Sequence, residues 1–263
     1  MASILFVINT YNEEKRIGPI LCYYQQFGEV ILVDNHSSDA TVEIAASLGV
    51  KYYLKKNNGT VQTVEWMSWL KETIGEVPYI ALSCSEYLSP VTIKAIWERL
   101  LEPGVGVVEL KMRSLTEGVE LPLWGRRTRY VDRGLNLGRL DINAVKIHAP
   151  VLTLDGTKYK KVRLADENCV EHLRVTNFAS ELIKVVNYAR VEAQVTETRQ
   201  PLARLIKSLT RELVNLFIPK NLLYARISMP QIFLRCVMHY VIFREVTETR
   251  SEIEKEYERK FNQ

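Results

Sequence analysis

Two polar stretches near the start of the chain hold residues able to do chemistry: Asn9-Thr10-Tyr11-Asn12-Glu13-Glu14 and Asp34-Asn35-His36-Ser37-Ser38-Asp39-Ala40-Thr41. Both concentrate carboxylates, hydroxyls and amides, the groups that exchange hydrogen bonds with a polar ligand. A third polar stretch, Ser83-Cys84-Ser85-Glu86, carries a single acid. A fourth region, between Leu115 and Pro150, is rich in glycine and arginine: Gly125-Arg126-Arg127, Arg129, Arg133-Gly134 and Gly138-Arg139.

The first three stretches each follow a short apolar run: Ile4 to Ile8, Val30 to Val33, and Tyr79 to Leu82. Such runs read as buried strands, and the first two loops lead into helical patterns, Ile17 to Phe27 and Thr41 to Leu48. That is β-loop-α in series, the start of a parallel sheet. In such sheets a ligand sits in the crevice at the carboxyl ends of the strands. The two acidic, hydroxyl-rich loops lie at that edge and read as half of a nucleotide site.

The pattern continues with a strand over Val50 to Leu54, a turn at Asn57-Asn58-Gly59, a helix over Val61 to Ile74, a helix from Pro90 to Leu101 and a strand from Val105 to Met112. Alternating strands and helices predict a three-layer α/β sandwich. The stretch from Leu115 to Pro150 reads as a long irregular segment, which in a compact domain is usually functional or disordered. Ser180 to Gln194 reads as an amphipathic helix. Beyond it, Leu202, Leu205, Ile206, Leu209, Leu213 and Phe217 fall on one helical face, with Arg204, Lys207 and Arg211 on the other. A second segment, Ile232 to Phe243, is apolar almost all round, and Thr247 to Lys260 reads as a solvated charged helix. The expected division is a domain over residues 1–195 and a helical extension over 196–263.

The chain of 263 residues is long enough for a substantial core, and its net charge of +4 gives no footprint for nucleic acid. The four cysteines, Cys22, Cys84, Cys169 and Cys236, have no paired spacing, so neither a zinc site nor a disulfide framework is expected. The first apolar run is too short for a signal peptide, and no segment holds ~20 uninterrupted apolar residues. The expected location is the cytoplasm, with peripheral contact on the inner membrane face left open.

The strand plus "NTYNEE", the strand plus "VDNHSSDAT", the strand plus "SCSEYLSP", and a trailer of "IHAP", "EHL" and "YARVEAQ" occur in this order. In that order they resemble the family 2 glycosyltransferases of GT-A fold, over roughly residues 3 to 195. The likeness is to the subgroup acting on lipopolysaccharide core and lipid-linked saccharides. The resemblance implies an inverting transfer of a sugar from a UDP- or GDP-sugar to a saccharide or lipid-linked acceptor. It implies that Thr10, Tyr11 and Glu13 line the base and ribose pocket and that Asp34 accepts from a base N–H. Asp39 either caps its helix or touches the ribose. His172 matches a histidine of the family trailer.

The chain departs from the family at two places. The family's Asp-x-Asp, which holds Mg²⁺ or Mn²⁺ against the diphosphate, is Ser83 and Ser85 here, so no cofactor is certain. The glutamate after the trailer histidine, a candidate general base, is Ala149. Three readings stay open. The enzyme is metal-independent, with Arg126, Arg127, Arg129, Arg133 or Arg139 meeting the phosphates. The fold is kept for binding or scaffolding only. Or Glu86 or Asp132 serves a metal after all. Glu86 and Arg127 are the catalytic candidates, with Ser83 and Ser85 placed at the nucleotide; His148, Asp155, Asp166 and Glu167 are weaker candidates for a base. The basic, apolar C-terminal region suits a membrane surface, and its apolar segment suits a second copy of the chain.

Overall fold

The computed structural model describes residues 3–57, 61, 63–116, 119–120, 129–145, 151–154, 158–174, 186, 201–218, 229–230 and 232–244. The chain divides into two compact units, one of residues 1–113 and 128–173, the other of residues 114–127 and 174–263.

The first unit opens with β1 (Ile4–Thr10), α1 (Ile17–Gln25), β2 (Gly28–Asp34), α2 (Thr41–Ser47), β3 (Lys51–Leu54), α3 (Val64–Ile74) and β4 (Pro78–Ser83). A short β5 (Glu86–Leu88) and α4 (Pro90–Leu101) follow, then β6 (Val105–Thr116), β8 (Arg129–Asn136), β9 (Lys160–Arg163) and β10 (Cys169–Arg174), while the short β7 (Val119–Glu120) falls in the second unit. Strand order is β3-β2-β1-β4-β8-β6-β10-β5, with β7 and β9 also paired to β6. The first four strands run parallel. β8 enters antiparallel between β4 and β6.

Alternation along the strands sends side chains to opposite faces. Phe6, Ile8, Val30 and Leu32 pack with Leu21, Tyr24, Ala45, Ile93, Ile96 and Trp97 from α1, α2 and α4. Val7, Ile31 and Val33 pack on the other face with Trp66, Met67 and Leu70 from α3. The result is the expected three-layer α/β arrangement. Helix starts follow local chemistry: Thr63 caps α3 by accepting from the Trp66 N–H at 3.1 Å, which starts the helix at Val64 rather than Val61. Ser89 caps α4, with Pro90 at the first position, where a missing N–H costs nothing.

The main departure from the sequence reading is β8. Arg129 to Asn136 is not irregular: it is a strand deep in the sheet, and Gly134 explains how it fits. A Cβ there would lie 2.7 Å from Ile96 Cγ2 and 2.9 Å from Val108 Cβ, so only glycine lets α4 and β6 close on it. Lys160 to Arg163 and Cys169 to Arg174, which no sequence pattern marks, also form strands, β9 and β10.

In the second unit, α5 (Pro201–Leu216) takes up the expected amphipathic segment, and a further helix, α6, covers residues 232–244. The amphipathic pattern of Ser180 to Gln194 and the charged tail from Thr247 lie outside the described residues, save that Val186 is helical. Among the described residues no helix is long and apolar enough to cross a membrane.

Candidate functional site

The parallel register puts the carboxyl ends of three strands side by side. Thr10 of β1 stands opposite Asp34 of β2, and Asn9 opposite Ser83 of β4. Thus Thr10, Asp34 and Ser83, far apart in sequence, meet at one sheet edge, where the sequence reading puts the ligand.

The two loops above that edge are stitched together. The Asn12 N–H donates to Ser37 Oγ at 2.8 Å, and Asn12 Oδ1 accepts from the Ser38 N–H at 2.8 Å. The Glu13 N–H donates to Thr41 Oγ1 at 2.7 Å, and the Ala40 N–H to the Glu14 carboxylate at 3.2 Å. Asn12 and His36 take the left-handed conformation, φ 54° and 58°, which asparagine and histidine tolerate better than most side chains. The third loop joins in through the Asn57 N–H, which donates to Asn35 Oδ1 at 2.7 Å; Asn58 and Gly59 lie outside the described residues.

Asp34 is 0% exposed. Its Oδ2 accepts from the Ser37 N–H at 2.6 Å and its Oδ1 from the Ser37 hydroxyl. Asp39 bridges the loops: Oδ1 accepts from the N–H and hydroxyl of Thr41, and Oδ2 from the Glu14 N–H at 3.1 Å. Burial would raise the Asp39 carboxyl, but the Thr41 hydroxyl and these N–H groups outweigh it and hold it below the usual carboxylate range. Glu13 is paired with Arg16, Tyr11 is exposed, and the Thr10 hydroxyl is buried. The Asn9 side-chain oxygen is buried at this edge without a partner.

At the end of β4, Ser83 Oγ and Ser85 Oγ hydrogen-bond each other at 3.0 Å. Glu86 is only 5% exposed. One of its oxygens accepts from the Ser83 N–H at 3.1 Å, and the other from the Arg133 guanidinium. Two tyrosines of α1 hold this turn: the Tyr24 hydroxyl donates to the Glu86 carbonyl at 2.9 Å and accepts from the Leu88 N–H, and Tyr23 donates to the Leu88 carbonyl at 2.7 Å. Burial keeps the Tyr24 phenol well above its ordinary value, so it stays a neutral donor. β10 closes the other side, with His172 in register opposite Glu86 and the Leu173 N–H bonded to the Ser85 carbonyl at 2.6 Å.

The fold therefore brings together Ser83, Ser85, Glu86, Arg133 and His172. The sequence does not predict the Glu86–Arg133 pairing. Its sequence signal was faint: the only acid of the third loop, and a run of arginines any of which could oppose it. Of those arginines, Arg139 donates to the carbonyls of Glu102 and Val105 and holds the β6 entry, Arg129 is exposed, and Arg126 and Arg127 lie outside the described residues. Asp132 is paired with Lys161 at 2.9 Å and accepts from the Val151 N–H. Asp166 lies at the surface with Lys111 and Tyr130, and Glu167 is exposed. His148, Ala149 and Asp155 are not among the described residues.

A Mg²⁺ or Mn²⁺ ion needs several oxygen ligands, carboxylates above all. The third loop offers two neutral hydroxyls bonded to each other and one carboxylate already matched by a guanidinium. Among the described residues no group of three His, Cys, Asp or Glu side chains could hold a metal. The residues at this turn do not fit the family's metal. A groove lined by Ser3, Glu29, Lys51 and Pro78 lies at the amino ends of the strands, the edge opposite these loops.

No curated protein matches the chain. Among solved structures, it is similar to mannosyl-3-phosphoglycerate synthase from Rubrobacter xylanophilus, at 20% identity over 43% of this chain and 40% of that one, with a TM-score of 0.33. It is similar to glucosyl-3-phosphoglycerate synthase from Mycobacterium tuberculosis, at 19% identity over 47% and 45%, with a TM-score of 0.34. A third is 4-diphosphocytidyl-2C-methyl-D-erythritol synthase, at 10% identity over 52% and 77%, with a TM-score of 0.36. The chain spans less than half the length of the two phosphoglycerate synthases. Residues 5–80, which hold both stitched loops and end before the Ser83–Glu86 turn, match the model of Glycosyl transferase family 2, so that family's domain stands at the N-terminal end of the chain.

Proposed function

We propose that this chain is a glycosyltransferase that takes a sugar, of hexose type, from a UDP- or GDP-sugar and passes it to a saccharide or lipid-linked acceptor in polysaccharide biosynthesis. The acceptor hydroxyl oxygen attacks the anomeric carbon as the bond to the diphosphate oxygen breaks. The configuration inverts, the hydroxyl proton passes to a base, and the nucleoside diphosphate leaves. Stabilising that departing charge needs a cation at the turn after β4. In this reading Arg133, with Arg127 from the same arginine-rich stretch, supplies it without a divalent metal. Glu86 is then a positioning residue that aims Arg133, and Ser83 and Ser85 give hydroxyls to the phosphates. Thr10, Tyr11 and Glu13 line the base and ribose, and Asp39 fixes the loop beside them. Asp34 meets the base once the Ser37 loop shifts off it.

One observation carries this reading: a guanidinium occupies the turn where the family keeps its metal-binding aspartates, beside two loops that match the family. Calorimetric titration of UDP, GDP and their sugar conjugates, with Mn²⁺ and again with EDTA, tests it. The expected result is binding that survives EDTA. Binding only with Mn²⁺ would sink the metal-independent mechanism.

A second reading has its own support. The loop side chains largely satisfy one another, and Glu86 is neutralised within the protein. Both suit a catalytically inactive binding or scaffold protein of the same fold. Failure of every nucleotide to bind in either condition would favour it.

A further inference from the structure

The second unit leaves an apolar helix face uncovered. On α5 and its continuation, Ile206, Leu213 and Phe217 follow the i, i+7, i+11 spacing of one helical face. They are 56%, 57% and 75% exposed. The opposite face carries Glu212 and Asn215, both fully buried. Glu212 Oε2 accepts from Arg235 Nε at 2.7 Å and from the Asn215 amide at 3.1 Å, and its other oxygen lies 3.9 Å from His239 Nε2. These contacts fasten α5 to α6 through polar groups. On α6, Phe233 and Tyr240 are also exposed, seven residues apart on one face. A helix pair that buries a carboxylate and shows five large apolar side chains is unfavourable in water. It is favourable where a nonaqueous layer covers the outer face.

Charge narrows what that layer is. Between Arg199 and Arg244 stand eight Lys or Arg and one acid, Glu212. Within that segment the one acid is thus withdrawn into the helix pair, and the described charged side chains of the pair left exposed, Lys207 and Arg244, are basic. A second copy would bring the same basic surface against itself, since a two-fold interface is self-complementary. An anionic bilayer offers both an apolar interior for the stripe and negative headgroups for its rim. Helices too short and too polar to span would lie in the interface plane.

We infer that the outer face of α5, Ile206, Leu213 and Phe217, with Phe233 and Tyr240 of α6, docks the protein on an anionic phospholipid surface. This gives a specific face to the membrane contact that the C-terminal sequence suits and that the transferase reading, with its lipid-linked acceptor, would use. The biological purpose rests on that reading, since a lipid-linked acceptor would be met at the same surface; the lipid contact itself does not.

The experiment is co-sedimentation of the full chain with vesicles of phosphatidylcholine alone and of phosphatidylcholine mixed with phosphatidylglycerol. Wild type should sediment with the mixed vesicles, less as salt rises, and poorly with the neutral ones. The double variant Leu213→Asp, Phe217→Asp should lower the apparent affinity by about tenfold or more, with unchanged helical circular dichroism. Equal binding to both vesicle types overturns the proposal, as does a variant that sediments like wild type. So does a wild type that ignores vesicles but forms a dimer that the variant abolishes in the ultracentrifuge. Should the variant misfold, the lipid and salt comparisons on wild type still decide. Titrating UDP and GDP into the same samples separates the two readings: vesicle binding without nucleotide binding sinks only the transferase, and the reverse sinks only the docking face.

Discussion

The Glu86 carboxylate and the Arg133 guanidinium form a salt bridge across 47 residues of sequence, joining the turn after β4 to strand β8. Both side chains are largely buried, so neither charge is well solvated without the other. Removing one partner of a buried pair leaves the other uncompensated. Arg133→Ala should therefore lose about 3–5 kcal/mol of stability. Glu86→Gln/Arg133→Met, which removes both charges at similar volume, should recover much of it. Urea denaturation of the three proteins measures this, and a double variant as unstable as the single one would argue against the pairing.

Asp34 gives a prediction about the nucleotide. Asp34→Ala should weaken UDP or GDP binding by roughly 1.5–3 kcal/mol, the range for hydrogen bonds to charged groups. Ser37→Ala separates contact from scaffolding, because both Asp34 oxygens bond to Ser37. Affinity that holds or rises in Ser37→Ala points to a direct contact with the base, freed by loss of the Ser37 hydroxyl. Calorimetric affinities unchanged in Asp34→Ala would remove that residue from the base pocket.

The cysteines differ in reach. Cys22 is exposed, whereas Cys84 is buried behind the β4 turn and burial pushes its thiol up to about 12. The thiolate is the reactive form. Iodoacetamide at pH 8 should alkylate Cys22 well before Cys84, and mass mapping of a time course would show the order. Early labelling of Cys84 would mean that the turn carrying Ser83, Ser85 and Glu86 opens readily.

Glu212 makes the second unit sensitive to acid. Burial alone would raise its carboxyl, but the nearby His239 ring, the hydrogen bond and charge of Arg235 and the Asn215 amide outweigh it and bring it down to about 2 from 4.5. A depressed carboxylate contributes stability above its unfolded pKa and loses it as pH falls through the folded one. The contribution, on the order of 3 kcal/mol, should be complete above about pH 5 and fade between about 4.5 and 2. Thermal melts of wild type and Glu212→Gln should differ most near neutral pH and converge near pH 2. A gap that does not change with pH would show that Glu212 is not held as an anion.

The sequence by itself determined the parallel half of the sheet. Ile4 to Ile8, Val30 to Val33 and Tyr79 to Leu82 are continuous apolar runs, and a strand buried on both faces needs that pattern wherever it lies in the chain. Because those strands are parallel, the polar residues after each run had to gather at one edge, so the neighbourhood of Thr10, Asp34 and Ser83 was legible as well. The amphipathic period of α5 was equally plain, since it depends only on residues three and four apart. Strand β8 was not legible, because Asp132 and Arg133 sit in its middle and read as a loop. They are tolerated there only because Lys161 and Glu86 arrive from distant segments to match them, and the chain alone does not say which charges will meet. The same reason hid the cation at the β4 turn and the inward face of α5. Local sequence fixes spacing and period, but pairing of charges over long separations is a property of the packed structure, where burial makes an unmatched charge costly and so selects the partner.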